Sequence, residues 1–175
     1  MARAFISIGS NIEPETNVKS AIRRLGLRAR ITAISTVYRT EPIGPSGQPW
    51  FYNCVVEIQT DLDPSGLKFG LLRGIEGELG RVRSSDKFEA RTIDLDLILY
   101  DELVITTTDL ALPDPDIQQW PFLAIPLHEL APGLILPGSG LRIRDAAVSL
   151  SPNTMTPLSA FTEQLRKEFL HERKQ

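Results

Sequence analysis

The sequence predicts an α+β fold: a ferredoxin-like β-α-β-β-α-β core with an antiparallel sheet, plus C-terminal additions. Three observations support it: β-rich segments at 3–9, 31–40 and 51–62, apolar residues at helical spacing between them, and a buried strand at 91–100. In this order of elements, helices cover one face of the sheet and leave the other face open. The 175 residues suffice for one domain with an apolar core.

The first half of the predicted core is a strand, a helix and a pair of strands. After the strand at 3–9, Pro14 near the start, Gly26 at the end and apolar residues at helical spacing predict a helix. The segments 31–40 and 51–62 predict an antiparallel pair, joined by "EPIGPSGQPW" with its three prolines and two glycines. This connection is long for a hairpin, and long loops in compact domains are often functional.

The second half of the core is a glycine-rich helix followed by a strand. Asp63 and Pro64 are typical of a helix start. Each glycine inside a helix costs about 0.5–1 kcal/mol, so we interpret four regularly spaced ones as a close-packing surface: Gly66, Gly70, Gly74 and Gly77. Beyond residue 101 the pattern is irregular until 157–172, which predicts an amphipathic helix.

Composition and charge narrow the classes of function. The net charge of −3 argues against a general nucleic-acid binder. One cysteine and two histidines argue against a disulfide framework, a cysteine-based zinc site and a Ser-His-Asp triad. No signal-peptide pattern is present, and no apolar run approaches ~18 residues. We therefore expect a cytoplasmic protein without nucleic-acid or membrane partners, and the sequence identifies no protein partner.

The strand "RTIDLDLILY" at 91–100 carries two acids in an otherwise apolar run. Side chains alternate across a strand, so Asp94 and Asp96 share a face with Tyr100, while Leu99 lies on the opposite face. The two Cβ atoms are roughly 7 Å apart, and like charges at that distance repel and resist burial. A divalent cation or a pair of arginines would resolve the conflict. On this stretch alone, a solvated face with structural ion pairs explains the acids equally well.

Three polar clusters are expected to meet on the open face of the sheet. The acid pair suits Mg²⁺, which usually takes one or two protein carboxylates and completes its shell with phosphate and water. A basic segment, which alone would be read as a solvated loop, offers phosphate-binding side chains: Arg81, Arg83, Lys87 and Arg91. Phe51, Tyr52 and Asn53 can stack on a flat heterocycle and read its edge, or can pack in the sheet. No Walker A motif is present.

Four segments in order carry a resemblance to a known family: "AFISIGSNIEP", "STVYRTEPIGPSGQPWFYNCVVEIQT", "GRVRSSDKFEARTIDLDLILYDELVI" and "LPDPDIQQWPFLAIPLHELAP". Together they resemble the 6-hydroxymethyl-7,8-dihydropterin pyrophosphokinase family, from about residue 4 to about residue 147. The resemblance leaves only the C-terminal tail uncovered.

The resemblance implies an activity and a metal site. Family members transfer the pyrophosphoryl group of ATP to the hydroxymethyl oxygen of the dihydropterin and release AMP, in folate biosynthesis. Asp94 and Asp96 would hold two Mg²⁺ ions against the triphosphate. Arg81, Arg83 and Arg91 would neutralise phosphate oxygens as charge moves, since this chemistry needs alignment and neutralisation more than covalent help.

The resemblance also implies a pterin site. The pterin would stack between Phe51 and Phe122, and Asn53 would hydrogen-bond its edge. Backbone groups of three neighbouring residues would assist: Thr40, Pro42 and Ile43. Asn11 lies in the matching N-terminal turn, and Phe88 stands where the family commonly has a tryptophan that packs the mobile loop.

Domains and competing functions follow from this reading. We expect residues 1–150 to form the pterin pyrophosphokinase domain and residues 151–175 a helical extension of it. A pterin- or nucleotide-binding relative with reduced or lost transfer is the alternative function. An RNA-binding module is disfavoured, because Asp94 and Asp96 on its sheet face would repel phosphates.

The sequence departs from the family pattern at three places. Glu89 and Ala90 replace a glycine-proline pair. Asp114 stands where a histidine is common, and Trp120 where an arginine is common, both usually facing the triphosphate. We expect either weaker ATP binding or a rearranged loop, in which Asp114 or Asp116 binds metal or pairs with Arg81 or Arg83.

Overall fold

The computed structural model describes residues 1–170; residues 171–175, which end the predicted C-terminal extension and its helix, lie outside the described residues. The strands are β1 (Ala2–Ser10), β2 (Arg30–Ile34), β3 (Tyr38–Thr40), β4 (Phe51–Thr60), β5 (Asp94–Tyr100), β6 (Ile105–Thr106), β7 (Ala111–Leu112) and β8 (Met155–Pro157). The helices are α1 (Pro14–Gly26), α2, with a π-helical part (Gly66–Leu72) and an α-helical part (Arg73–Glu78), α3 (Pro121–Leu130), α4 (Ile143–Ser149) and α5 (Ser159–Leu170). A 3₁₀ turn (Pro115–Gln118) precedes α3. No described helix has the length and apolar character needed to cross a membrane.

The main sheet confirms the predicted α+β fold. Its strand order is β5-β1-β4-β3-β8, with β2 also paired to β4, and all of these pairings are antiparallel. With α1 and α2 as the two crossover helices, β5-β1-β4-β2 is the ferredoxin-like order. β6 and β7 form a separate two-stranded sheet.

The β-rich segment 31–40 forms two strands where the sequence predicts one. β2 and β3 both pair with β4, but two of the three residues between them, Thr36 and Val37, direct their amide hydrogens elsewhere. The Thr36 N–H donates to Glu129 Oε2 of α3 (2.9 Å), and the Val37 N–H donates to Thr162 Oγ1 of α5 (2.9 Å). Distant side chains therefore replace the strand partner at this point.

Apolar cores lie on both faces of the sheet. On one face, residues of α1, α2 and α5 pack on the sheet, including Val18, Leu72 and Leu165. On the other face, α3 and α4 pack over Phe5 and Val55. The expectation that this second face is open holds for only part of it, because the apolar side of α3 also needs burial.

A β-bulge in β5 reverses the predicted alternation after the acid pair. Ile6 pairs with Leu97 and Phe5 with Leu99, so Ile98 is an extra residue on β5. Asp94 and Asp96 lie on the face opposite the α1 core, as predicted. Leu99 instead packs in the second core and Tyr100 in the first, so the predicted faces of these two residues are wrong.

The glycines of α2 do not form a close-packing surface. Apart from its chain neighbours and the backbone of its own helix, a Cβ atom built on Gly70, Gly74 or Gly77 would meet no atom of residues 1–170 within 4 Å. The exception is Gly66, where a Cβ would lie 2.8 Å from Asp63 Oδ1, the atom that accepts the Gly66 N–H. The interpretation of the glycine spacing as a packing motif is therefore wrong.

The C-terminal segment packs on the core. β8 extends the sheet beside β3, and Phe161 and Leu165 of α5 are buried in the first core. Glu168 forms ion pairs with Lys19 (2.8 Å) and Arg23 (2.6 Å) of α1. These contacts attach the C-terminal segment to α1 and to β3, the strand that leads into the 41–50 loop.

Candidate active site

A cleft of about 440 Å³ occupies the part of the second sheet face that α3 and α4 leave uncovered. Its floor comes from β1, β4 and β5, and its walls come from the loops after Thr40 and Arg81 and from the segment before α3. Eight of the residues predicted for the site line it: Thr40, Ile43, Phe51, Asn53, Arg91, Asp94, Asp96 and Phe122. The fold therefore brings the acid pair and most of the predicted pterin residues into one cavity.

The register of the central strands sets the layout of this floor. Gly9 of β1 pairs with Asn53 of β4 on one side and with Asp94 of β5 on the other. Two strand spacings separate Asn53 and Asp94, roughly 10 Å between backbones. A Cβ on Gly9 would lie 2.6 Å from Asn53 Oδ1. Because no side chain rises from Gly9, the Asn53 amide can lie across β1 between the two ends of the cleft.

The amide end of the cleft has a hydrogen-bonding edge and aromatic walls. Asn53 Nδ2 donates to Thr40 Oγ1 (2.6 Å), which orients the amide. Phe51 and Phe122 both line the cavity. The Trp120 ring stacks on Phe122 with centroids 5.8 Å apart and planes 19° from parallel. This end suits a flat heterocycle with polar edges.

Arginines already neutralise one acid at the other end. Arg91 Nη1 donates to Asp94 Oδ2 (2.8 Å), and Arg81 Nη1 lies 3.4 Å from Asp94 Oδ1. Arg81 is held in place by a second bond, from Nη1 to the Ile93 carbonyl (2.7 Å). Asp94 is therefore the fixed member of the acid pair.

Within residues 1–170, Asp96 has no arginine partner of this kind. Desolvation in the cleft, followed by repulsion from the carboxylates of Asp94, Asp114 and Glu76, raises the pKa of Asp96 to about 8. Although many protein atoms surround it, the side chain is exposed to water through the mouth of the cleft. Water at the mouth moderates the desolvation, and repulsion from the neighbouring carboxylates adds to the rise in the pKa of Asp96. A bound cation would stabilise the ionised form of Asp96, so this position favours cation binding.

The remaining predicted basic residues lie to one side of the main cleft. Arg81 and Arg83 line a smaller adjoining cavity of about 310 Å³. Lys87 and Arg91 line both cavities. Arg83 Nη2 donates to Glu76 Oε2 (2.5 Å). The basic side chains thus form a border around the acid pair, with Arg83 directed toward α2.

Asn11 and Pro42 do not line the main cleft. Asn11 is buried and connects the two loops that border the cleft. Its Nδ2 donates to the Pro49 carbonyl (3.2 Å), and its Oδ1 accepts the Arg91 N–H (2.8 Å). A further bond runs from the Asn11 N–H to the Arg91 carbonyl (3.2 Å). The structure therefore places Asn11 as a brace between the start of β4 and the start of β5.

The segment before α3 adds acidic and aromatic groups to the cleft. Asp114, Asp116 and Trp120 line it, and at Asp114 and Trp120 the sequence departs from the family pattern. Burial raises the pKa of Asp114; the Asp116 N–H, which its Oδ1 accepts at 2.9 Å, acts in the opposite direction. Within residues 1–170, neither Arg81 nor Arg83 pairs with Asp114 or Asp116, so the arginine-pairing alternative is not realised.

Sequence reasoning missed Gly9 and Ser7, which line the floor. A glycine inside a predicted strand indicates close approach by another group, and this signal was present at Gly9. It also missed Glu76 as a partner of Arg83, because no local pattern relates these positions.

Comparison with known proteins identifies the family. The profile described as 7,8-dihydro-6-hydroxymethylpterin-pyrophosphokinase (HPPK) matches residues 5–132. The chain belongs to the HPPK family. This membership confirms the resemblance and the pyrophosphokinase class of enzyme that it implies.

Curated relatives match over most of their length. The 2-amino-4-hydroxy-6-hydroxymethyldihydropteridine pyrophosphokinase of Methylorubrum extorquens is 35% identical over 156 residues, covering 87% of this chain and 96% of the relative. The protein of the same name from Haemophilus influenzae is 36% identical over 142 residues, covering 79% and 88%.

Solved structures share the fold at low identity. A crystal structure of HPPK-DHPS in complex with substrates has a TM-score of 0.66 at 13% identity, covering 97% of this chain and 45% of that chain. A Plasmodium falciparum HPPK-DHPS triple mutant has a TM-score of 0.68 at 12% identity, covering 85% and 43%. The HPPK-family chain described here spans less than half the length of these two solved chains.

Proposed function

We propose that this chain transfers the pyrophosphoryl group of ATP to 6-hydroxymethyl-7,8-dihydropterin, giving the pterin diphosphate and AMP in folate biosynthesis. The observation that carries the proposal is the register around Gly9, with Asn53 on one side and Asp94 on the other. It places a heterocycle-reading amide and a cation-binding carboxylate in one cleft, about two strand spacings apart. A pterin held at the amide end directs its hydroxymethyl group toward the acids.

The site fits Mg²⁺, and we assign two ions to it. Asp94 and Asp96 offer oxygen ligands on one face, and the repulsion at Asp96 disappears when a cation is bound. Residues 1–170 hold no group of three or more His, Cys, Asp or Glu side chains arranged for a metal. Asp94 and Asp96 would supply the protein ligands, and phosphate oxygens and water would complete the shells. When bound, the metal neutralises charge on the triphosphate and fixes its orientation.

Protein groups align the two substrates. Phe51 and Phe122 hold the heterocycle, and the Asn53 amide, fixed by Thr40, sets its rotation. Arg91 faces the cleft beside Asp94 and supplies positive charge for the reacting phosphates. Near-attack alignment of this kind accounts for a large share of the rate in phosphoryl transfer.

Two loops meet beside the cleft and are expected to close over it when both substrates are bound. A Cβ on Gly44 would lie 2.5 Å from the Phe88 ring, so the 41–50 loop and the 82–90 loop touch at this point. Gln48 also donates to the Phe88 carbonyl. Closure over both substrates limits hydrolysis, which competes with transfer.

Residues 1–150 form the pyrophosphokinase domain in this proposal, and residues 151–175 extend it. The extension supports the pterin end of the cleft, since Thr40 of β3 pairs with Met155 of β8.

The decisive experiment incubates the chain with ATP, Mg²⁺ and the hydroxymethyl dihydropterin and measures AMP and pterin diphosphate in equal amounts. Omission of pterin controls for ATP hydrolysis. Tight binding of both ligands without AMP would favour the alternative function, a binding relative that has lost transfer. The structural observation that supports this alternative is the acidic Asp114 in the cleft.

A further inference from the structure

Glu76 of α2 is the one charged residue that is buried within residues 1–170; its relative exposure to solvent is 2%. A buried carboxylate is costly unless charged and hydrogen-bonding partners surround it. None of the roles proposed above uses this group, and it lines none of the cavities described above. Its partners therefore indicate why α2 carries an acid there.

The Glu76 carboxylate bonds to two segments that the reaction uses. Oε1 accepts the Leu95 N–H (2.9 Å), and Leu95 stands between Asp94 and Asp96. Oε2 accepts Arg83 Nη2 (2.5 Å) at the start of the 82–90 loop. The carbonyl of the same residue accepts the Arg81 N–H (2.9 Å). One residue thus contacts both arginines at the base of the loop and the strand that carries the acids.

The position of β5 in the sheet gives the Leu95 bond its importance. Among the strands of residues 1–170, β5 is an edge strand that pairs with β1 alone, so its outward amide hydrogens have no strand partner there. Glu76 supplies the acceptor that a neighbouring strand would supply elsewhere in the sheet. This fixes the backbone between the two aspartates and hence the separation of their carboxylates.

We propose that Glu76 is a positioning residue that sets the distance between the acid pair and the two arginines at the base of the 82–90 loop, Arg81 and Arg83. The inference rests on the proposed function, because the distance matters only if triphosphate and cation bind there. The Arg83 side chain is 55% exposed, so its guanidinium can turn toward a phosphate while the Leu95 bond keeps the strand in place. Outer partners of metal-binding groups commonly influence metal affinity or activity about 10- to 100-fold.

The test compares Glu76→Gln with Glu78→Gln as a matched control. The glutamine at 76 keeps the size and an acceptor for the Leu95 N–H but loses the charge that holds Arg83. Glu78 lies two residues further on, is exposed, and pairs with Arg24 (2.6 Å) and Arg28 (3.1 Å) away from the cleft. The two variants remove the same charge from the same helix.

Two readouts are measured for each protein: steady-state kcat with the Mg²⁺ concentration for half-maximal rate, and calorimetric affinity for a non-hydrolysable ATP analogue with Mg²⁺. For Glu76→Gln we expect about tenfold or greater loss in kcat and weaker Mg²⁺-dependent analogue binding, with unchanged affinity for the pterin alone. Glu78→Gln should match the wild type. A purely structural Glu76 would lower the melting temperature and leave both readouts unchanged, which would overturn the proposal.

Glu76→Asp decides the question if Glu76→Gln does not fold. It keeps the charge but shortens the side chain by one methylene, so it cannot reach Leu95 and Arg83 together without a backbone shift. Wild-type kcat and Mg²⁺ dependence in this variant would also overturn the proposal. A wild-type chain that forms no AMP refutes the proposed function instead, and the calorimetric comparison then still tests the role of Glu76.

Discussion

Asp96→Asn is the substitution with the most specific expected outcome, because activity and stability should move in opposite directions. The change removes the negative charge and keeps the side-chain volume. Losing a cation ligand at the reacting phosphates should raise the barrier by several kcal/mol; about 4 kcal/mol corresponds to roughly 10³-fold lower kcat. Asp94→Ala and Asp96→Ala should lose transfer in the same way while remaining folded.

The expected gain in stability follows from the raised pKa of Asp96, about 8 in the folded chain. In the unfolded chain the pKa of an aspartate is about 3.9. The folded state therefore binds a proton that the unfolded state has released between these values, and wild-type stability falls as pH rises from about 4 to about 8. Asparagine has no such proton. The melting temperature of Asp96→Asn relative to the wild type should thus increase from pH 5 to pH 9 without metal.

The assay is thermal melting in a metal chelator at pH 5, 7 and 9, beside turnover with excess Mg²⁺. Asp61→Asn is the control, since Asp61 is an exposed carboxylate outside the cleft. A variant that keeps near wild-type turnover would show that Asp96 holds no catalytic cation. A melting difference that stays constant with pH would show that Asp96 titrates as in the unfolded chain.

Three further outcomes are expected. Gly9→Ala should raise the KM for pterin at least tenfold with a smaller effect on the KM for ATP, because its Cβ would lie 2.6 Å from Asn53 Oδ1; equal KM values for wild type and variant would contradict the layout of the floor. Asp114→His and Trp120→Arg should each tighten ATP binding and steepen its salt dependence, since a unit charge pair at ~4 Å is worth about 4 kcal/mol at an effective dielectric near 20; titrations that match the wild type would mean that this segment does not touch the triphosphate. Hydrogen exchange should show the 41–50 and 82–90 loops protected only when an ATP analogue and pterin are both bound, and unchanged protection would rule out joint closure.

The sequence alone was sufficient for the core elements and the acid pair. Period-two alternation placed Asp94 and Asp96 on the face opposite the α1 core, because that alternation is a local property of strand geometry. Helical spacing located α1 and α2 for the same reason. The four segments that resemble the HPPK family predicted the family and the eight cleft residues that the fold brings together.

Tertiary structure decided the features that depend on contacts between distant segments. The bulge at Ile98 reversed the faces of Leu99 and Tyr100, because a strand's register depends on its partner and not on its own pattern. The split between β2 and β3 depends on acceptors from α3 and α5, more than 90 residues away. The glycines of α2 misled the sequence analysis because spacing does not show what faces them.

The site, like the fold, has some features that the sequence predicts and others that only tertiary contacts decide. Residue types along the sequence indicated a metal, phosphates and a heterocycle. Only the fold showed that Gly9 separates the amide from the acids, and that Glu76 reaches Arg83 and the backbone of Leu95. The chemical groups that can bind these ligands belong to single side chains, so the sequence shows them directly. Distance and desolvation arise when the strands and helices pack, and these set the pKa of Asp96 and the spacing of the cleft.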